Sequence, residues 1–259
     1  MLQRQWMAAA QWALLTTVII SITAAGQERA TWSSSAETAP KAEPSGLVTT
    51  RLSARELARW RVIESIALAV DASQQPLHPT LWGMWQWIET SGHTVYVEVT
   101  RNNRVATCTA GNFVIERSDP RGERHVGTIK LILSNIDLAY VGPVAARADG
   151  FIPFEKLNRE ERYVEVLGHE LSHAIHILTN LDRTRQVEES VEKTNELLLK
   201  FQPHRKTEYI PADLKRRLSR RDELLRSLER QAEAMEVLVW KELVASKPLR
   251  SKTVMAVTP

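Results

Sequence analysis

The chain of 259 residues has a single cysteine, Cys108, so no disulfide can form within it. Its 10 glycines and 11 prolines are too few for collagen-like or elastin-like sequence. Charge of one sign is not in excess: 34 Lys and Arg against 31 Asp and Glu give +3, a surplus too small to point to nucleic acid. No internal repeat is visible, and after residue 26 no run is long and apolar enough to span a bilayer. What remains is ordinary globular composition, 43% hydrophobic and 25% charged. Such a chain buries a sizeable core without cross-links, in one or two domains at roughly 150 residues each.

The N-terminus reads as a targeting segment. Arg4 precedes a charge-free run from Trp6 to Gly26, which passes through Leu14-Leu15 and Val18-Ile19-Ile20 and ends on the small residues Ala24-Ala25-Gly26. A basic start, an apolar middle and a small-residue end are the pattern of a secretory signal peptide over residues 1–26. The alternative is an uncleaved membrane anchor, since about 20 uncharged residues can cross a bilayer. Either way the rest of the chain is expected to be exported. Residues 27–46, rich in Ser, Ala, Glu and Pro, form an expected flexible spacer.

Further along, Ser53 with Glu56 three residues later is a capping box, and Leu57, Trp60, Ile63 and Ala67 follow at helical spacing, which predicts a helix over Ala54–Val70. Leu81, Met84, Trp85 and Ile88 predict a short second helix. Its tryptophans, Trp82, Trp85 and Trp87, read as core aromatics rather than a sugar or lipid platform, because their rings chiefly supply buried area. Strand patterns follow at Thr94–Val99, Val105–Thr109, Asn112–Glu116 and Val126–Leu133. From Asn158, with Glu161 three later, the pattern is helical to about Leu178. A charged helix is expected over Arg185–Phe201, then a long one from Ala212 to Val244, stopping before Pro248. Strands first and helices afterwards predict an α+β fold: a small, mainly antiparallel sheet followed by a helical part. The folded domain is placed at residues 47–247, with a disordered tail at 248–259.

The chemistry sits in the helix that starts near Asn158. Residues 166–176 read Val-Leu-Gly-His-Glu-Leu-Ser-His-Ala-Ile-His, in which His169, Glu170 and His173 form H-E-x-x-H. Residues four apart lie one above the other on a helix, so both imidazoles can reach one metal ion. Glu170, beside the first ligand, is placed to take a proton from a metal-bound water, whose pKa zinc lowers to about 7. Apolar neighbours Val166, Leu167, Leu171 and Ile175 imply a buried motif whose polar groups need partners. A third ligand is available on the last helix, where Glu229 lies within the stripe Leu225, Leu228, Ala232, Met235 and Val239. A carboxylate there is costly unless it binds a cation. Glu233 and Glu236 are its rivals for that role.

Gly168-His169-Glu170-Leu171-Ser172-His173-Ala174 resembles the active-site helix of gluzincin-type zinc metallopeptidases. In that group a second helix supplies a glutamate ligand within E-x-x-A-D, and Glu229-Arg230-Gln231-Ala232-Glu233 is similar, with Glu in the final place. The resemblance covers about a dozen residues. It implies one zinc ion per chain held by His169, His173 and Glu229. It also implies Glu233 as a carboxylate orienting a ligand histidine, a peptide or protein substrate, and a strand, Val126–Leu133, that borders the cleft. It further calls for a donor near the developing oxyanion, for which His204, Tyr209 and Arg217 are candidates.

Three features carry plainer readings. His176 lies seven residues after His169, about 10 Å along an unbroken helix, too far for both to join one ion, so it is a packing or supporting residue. Lys215–Arg221 is a solvated helix face, interleaved with acids. Cys108 is a small buried residue, with His125 as a distant prospect for a base. The sequence therefore predicts an exported zinc-dependent peptidase. The alternative is a non-catalytic, metal-stabilised binding or scaffold protein of the cell envelope. Membrane contact is expected only through an uncleaved anchor, and nucleic acid is not an expected partner. Mass spectrometry of fractionated cells should find the protein outside the cytoplasm, beginning near Gly26 or Gln27 if the leader is removed. A cytoplasmic protein that keeps Met1 would contradict the targeting reading.

Overall fold

The computed structural model describes residues 44–101, 110–118, 123–139, 157–182 and 212–256, with scattered helical positions between 184 and 197. The leader, most of the spacer and the Val105–Thr109 strand lie outside the described residues. The elements are β1 (Gly46–Val48), α1 (Ala54–Ala67), α2 (Pro79–Thr90), β2 (Thr94–Thr100), β3 (Gly111–Ser118), β4 (His125–Ile132), α3 (Leu133–Ala139), α4 (Arg159–Thr179) and α5 (Ala212–Ala256). The fold is α+β, and no helix among the described residues is long and apolar enough to cross a membrane.

The four strands lie in the order β1-β2-β4-β3. β1 pairs with β2 and β2 with β4 in parallel, and only β3 runs antiparallel, to β4. The sheet is therefore mixed, not mainly antiparallel. Sequence-adjacent strands suggest hairpins, but β4 inserts between β2 and β3, which no local pattern announces. Val95, Val97 and Val99 on β2 and Ile129 and Leu131 on β4 alternate into the core, where they meet Trp60 and Ile63 of α1, Leu81, Trp85 and Ile88 of α2, and Leu167 and Leu171 of α4. Trp85 stacks on Trp60 at 5.7 Å between ring centroids, so its core reading holds. Trp87 is half-buried against the same core and tilts over His93.

Capping fixes the helix starts. Ser53 and Glu56 satisfy each other's backbone at α1, and Asn158 and Glu161 do the same at α4. α1 ends at Ala67, three residues short of Val70. Val126–Leu133 ends as a strand at Ile132, and Leu133 opens the short α3. α5 has no glycine over residues 212–247 and is rich in Ala, Leu, Glu, Lys and Arg, all strong helix formers. It passes through Pro248 to Ala256, so residues 248–256 are helical rather than a disordered tail. A proline removes one intrahelical hydrogen bond, here to Val244. Anchors just before it hold that turn: Ser246 Oγ lies 2.8 Å from His78 Nε2, and Lys247 pairs with the buried Glu161 at 3.0 Å.

α5 packs along α4 by a single face. Glu229, Ala232, Glu236, Val239, Leu243 and Ser246 recur at alternating spacings of three and four, which keeps them on one seam. From Ala232 onward these seam residues are all buried. The helices approach closely at Gly168, where an added Cβ would stand 2.9 Å from Val239 Cγ2. Gly168→Val should push the two helices apart and destabilise the protein by about 1–3 kcal/mol, the usual cost of overpacking. Thermal denaturation checks this, and an unchanged melting temperature would mean that the seam does not depend on this contact.

Candidate metal centre

His169 and His173 stand one turn apart on α4 with their rings edge to face, centroids 4.7 Å apart at 73°. Their Nε2 atoms are 3.0 Å from one another. Glu229 arrives from α5, with Oε2 3.5 Å from His169 Nε2 and Oε1 3.6 Å from His173 Nε2. In a tetrahedral zinc site with bonds of about 2.0–2.1 Å, ligand atoms are separated by about 3.3–3.4 Å. The observed separations bracket that value. These three side chains are also the one group among the described residues whose ligand atoms cluster closely enough to hold a metal ion. They are part-buried, and Glu229 is the most open of them at 30% exposure.

The other nitrogen of His169 is also held. Its Nδ1 lies 3.0 Å from Oε2 of the buried Glu236 and donates to that carboxylate. With the proton on Nδ1, the Nε2 lone pair faces His173 and Glu229, as a metal ligand requires. Glu233, expected from the resemblance to orient a histidine, sits half-buried on α5, and Glu236 is the residue at His169. Helix geometry explains the change. Seven residues make nearly two full turns and return Glu236 to the face of Glu229, whereas four residues swing Glu233 about 40° off it.

Glu170 is buried at 4% exposure, and its Oε2 has no hydrogen-bond partner. Its carboxylate packs against the backbone at Gly111, where an added Cβ would be 2.7 Å from Oε1. Gly111 opens β3, which is an edge strand among the described residues. The strand bordering the site is therefore β3 and not Val126–Leu133, since β4 is paired on both sides. Sequence reasoning named Glu236 only as a rival third ligand, not as the partner of His169, and did not place Gly111 at the site. The spacing of seven from Glu229 was the available signal for Glu236, and for Gly111 there was none.

Burial disfavours the imidazolium of His169, but contacts with Glu229 and Glu236 outweigh it and raise the pKa well above the ordinary value. Burial likewise works against the Glu229 carboxylate, yet the two histidines hold it well below the usual range. Glu170 is pushed upward, chiefly by burial, with the histidines partly offsetting that effect.

The remaining candidates lie elsewhere. His176 is outside the metal cluster. Arg217 is exposed and stands twelve residues before Glu229, about 18 Å along the helix, so it cannot serve as the oxyanion donor. His204, Tyr209 and Cys108 lie outside the described residues. His125 is buried and stacks on His93 at 5.0 Å. Of Lys215–Arg221, the described side chains at 216, 217, 219 and 220 are exposed, as a solvated face requires.

These shifts set a pH dependence for the chelator-treated protein. His169, raised in the fold, contributes stability that is complete below its ordinary 6.5 and lost as pH climbs through the raised value. Glu229, lowered in the fold, contributes above its ordinary 4.5 and loses that contribution as pH falls. In EDTA the melting temperature should peak between about pH 4.5 and 6.5 and decline toward pH 8. With zinc the decline should vanish or reverse, because metal binding needs neutral imidazole. Melting curves across pH, with and without zinc, test this, and a metal-free protein most stable at pH 8 would contradict it.

Comparisons with protein-family models, with curated proteins and with solved structures find no match to this chain, so the case for the site rests on its own geometry.

Proposed function

We propose that the chain is an exported zinc-dependent metallopeptidase, with one zinc ion held by His169, His173 and Glu229. The observation that carries this reading is the convergence of the three ligand atoms beside a buried carboxylate, Glu170, that has an unsatisfied oxygen. An unpartnered buried carboxylate is costly, and sites that tolerate one are commonly reactive. Bound zinc would polarise a substrate carbonyl and lower the pKa of a water to about 7. Glu170 accepts the proton of the attacking water and returns it to the leaving amine. Burial raises its pKa from the ordinary carboxylate value toward neutrality, where a general base works best. Glu236 holds His169 in the required tautomer. Among the described residues β3 is an edge strand beside Glu170, and an extended peptide can add there as a further strand. Export rests on the charge-free run from Trp6 to Gly26.

A second reading is favoured by one feature. The three ligands join α4 to α5, so a metal there would also clamp the helical part together, as in a non-catalytic scaffold. Two substitutions separate the readings. Glu170→Gln should keep about one zinc per chain and near wild-type stability, while peptidase activity on a mixed peptide library falls by about 10²-fold or more. Glu229→Gln should lower zinc affinity first. Elemental analysis and mass spectrometry read both. Loss of zinc in Glu170→Gln with retention in Glu229→Gln would reverse the assigned roles. No cleavage by the zinc-loaded wild type would leave the scaffold reading.

A further inference from the structure

Away from the metal ligands, the arginines that flank the sheet fall into two groups. Arg51 is saturated by Glu116 through two hydrogen bonds of 2.5 and 2.9 Å and lies over the Tyr96 ring. Arg159 is held by both oxygens of Asp137. These are the paired, planar contacts that guanidinium groups make with carboxylates. Arg55, Arg59 and Arg101 make no ion pair within 4 Å among the described residues; at longer range Glu56 faces Arg59, and Asp137, already held by Arg159, faces Arg101. Arg55 and Arg59 are one turn apart on α1, and Arg101 directly follows β2, on which α1 packs. Besides burial, it is Arg55 and Arg101 that depress the pKa of Arg59, so the three charges act on one another. The nearby acid Glu56 is tied into the cap by Ser53.

The cluster stands at the same end of the sheet as Glu170. Thr100 pairs with Ile132, and Ile132 N–H donates to Ala110 O at 2.9 Å. Gly111, the next residue, is the one against which Glu170 packs. Arg101 is thus two strand spacings across and two residues along from Gly111, roughly 12 Å from the backbone beside Glu170, a distance that about four residues of extended peptide cover.

We propose that Arg55, Arg59 and Arg101 form a docking site for an acidic stretch of polypeptide. It deepens the peptidase reading and rests on it for one point: that this stretch flanks the cleaved bond, about four residues away. The chemistry favours polypeptide carboxylates over other anions. Three arginines fall short of the six to ten phosphate contacts of a typical nucleic-acid site. Glu56 and Glu64 on the same helix oppose a uniformly anionic surface. Val62, exposed at 45% and three residues beyond Arg59, offers a peptide side chain an apolar contact.

The test is fluorescence anisotropy on the full-length protein. The probes are a labelled glutamate-rich peptide, a neutral peptide of equal length, a single-stranded oligonucleotide and phosphatidylserine vesicles. Wild type should bind the acidic peptide at least about tenfold more tightly than the neutral one at low salt, with the preference fading as salt rises. Arg59→Glu with Arg101→Glu should abolish the preference without changing zinc content or circular dichroism, and Arg59→Gln with Arg101→Gln should weaken it. Equal binding of the two peptides, or a preference that survives charge reversal, overturns the proposal. So does arginine-dependent binding of the oligonucleotide or vesicles without binding of the acidic peptide. Cleavage separates the two readings. Turnover of neutral peptides with no gain from an acidic flank removes the docking site and leaves the peptidase. Arginine-dependent binding of the acidic peptide with no turnover supports the docking site and removes the peptidase.

Discussion

Two histidines of one helix and two glutamates of another can meet only where the helix axes come close, and the contact between Gly168 and Val239 sets that distance. Any larger residue at 168 would hold α5 off, and both Glu229 and Glu236 would retreat together because they share one seam. The rest of the molecule supports this approach at its far end. Thr80 caps onto Glu242, His78 meets Ser246, and Glu161 pairs with Lys247. These contacts place α5 against α2 and α4 from Glu242 onward, and the rigid helix carries that placement back to Glu229.

Charge balance gives this seam its chemical character. Glu170, Glu229 and Glu236 bring three carboxylates around two imidazoles. Without a cation the neighbouring carboxylates raise the pKa of His169, while Glu170 is raised chiefly by its burial. A divalent ion would relieve the same excess while leaving both imidazoles neutral. The perturbed titration of the metal-free site and its fitness for a cation are two expressions of one electrostatic imbalance.

Much of this was legible in the sequence because it is local. Capping boxes at Ser53 and Asn158 mark their helices with short-range chemistry, and H-E-x-x-H places His169, Glu170 and His173 by helix period alone. Glu229 was legible as a carboxylate set in an apolar stripe. What was hidden depends on the pairing of distant segments. The insertion of β4 between β2 and β3 has no signature in either strand, and it moved the strand bordering the site from β4 to β3. Glu236 was legible only as a rival for the third ligand, and the pairing of α4 with α5 turns it to the far nitrogen of His169 instead. The helix passed Pro248 because tertiary anchors, and not propensity, decide whether one missing hydrogen bond ends it.

The distance along the chain between the two halves of the site carries a consequence for biosynthesis. His169 and Glu236 are 67 positions apart, and α5 follows every other described element in sequence. A ribosome must add every residue between α4 and α5 before the second half exists. During synthesis the first half is two histidines and a glutamate on one helix, without the carboxylate that closes the coordination sphere. Hydrolytic competence on the proposed reading would thus arise only after the sheet and its covering helices are in place, and translation order would itself act as a safeguard against premature proteolysis.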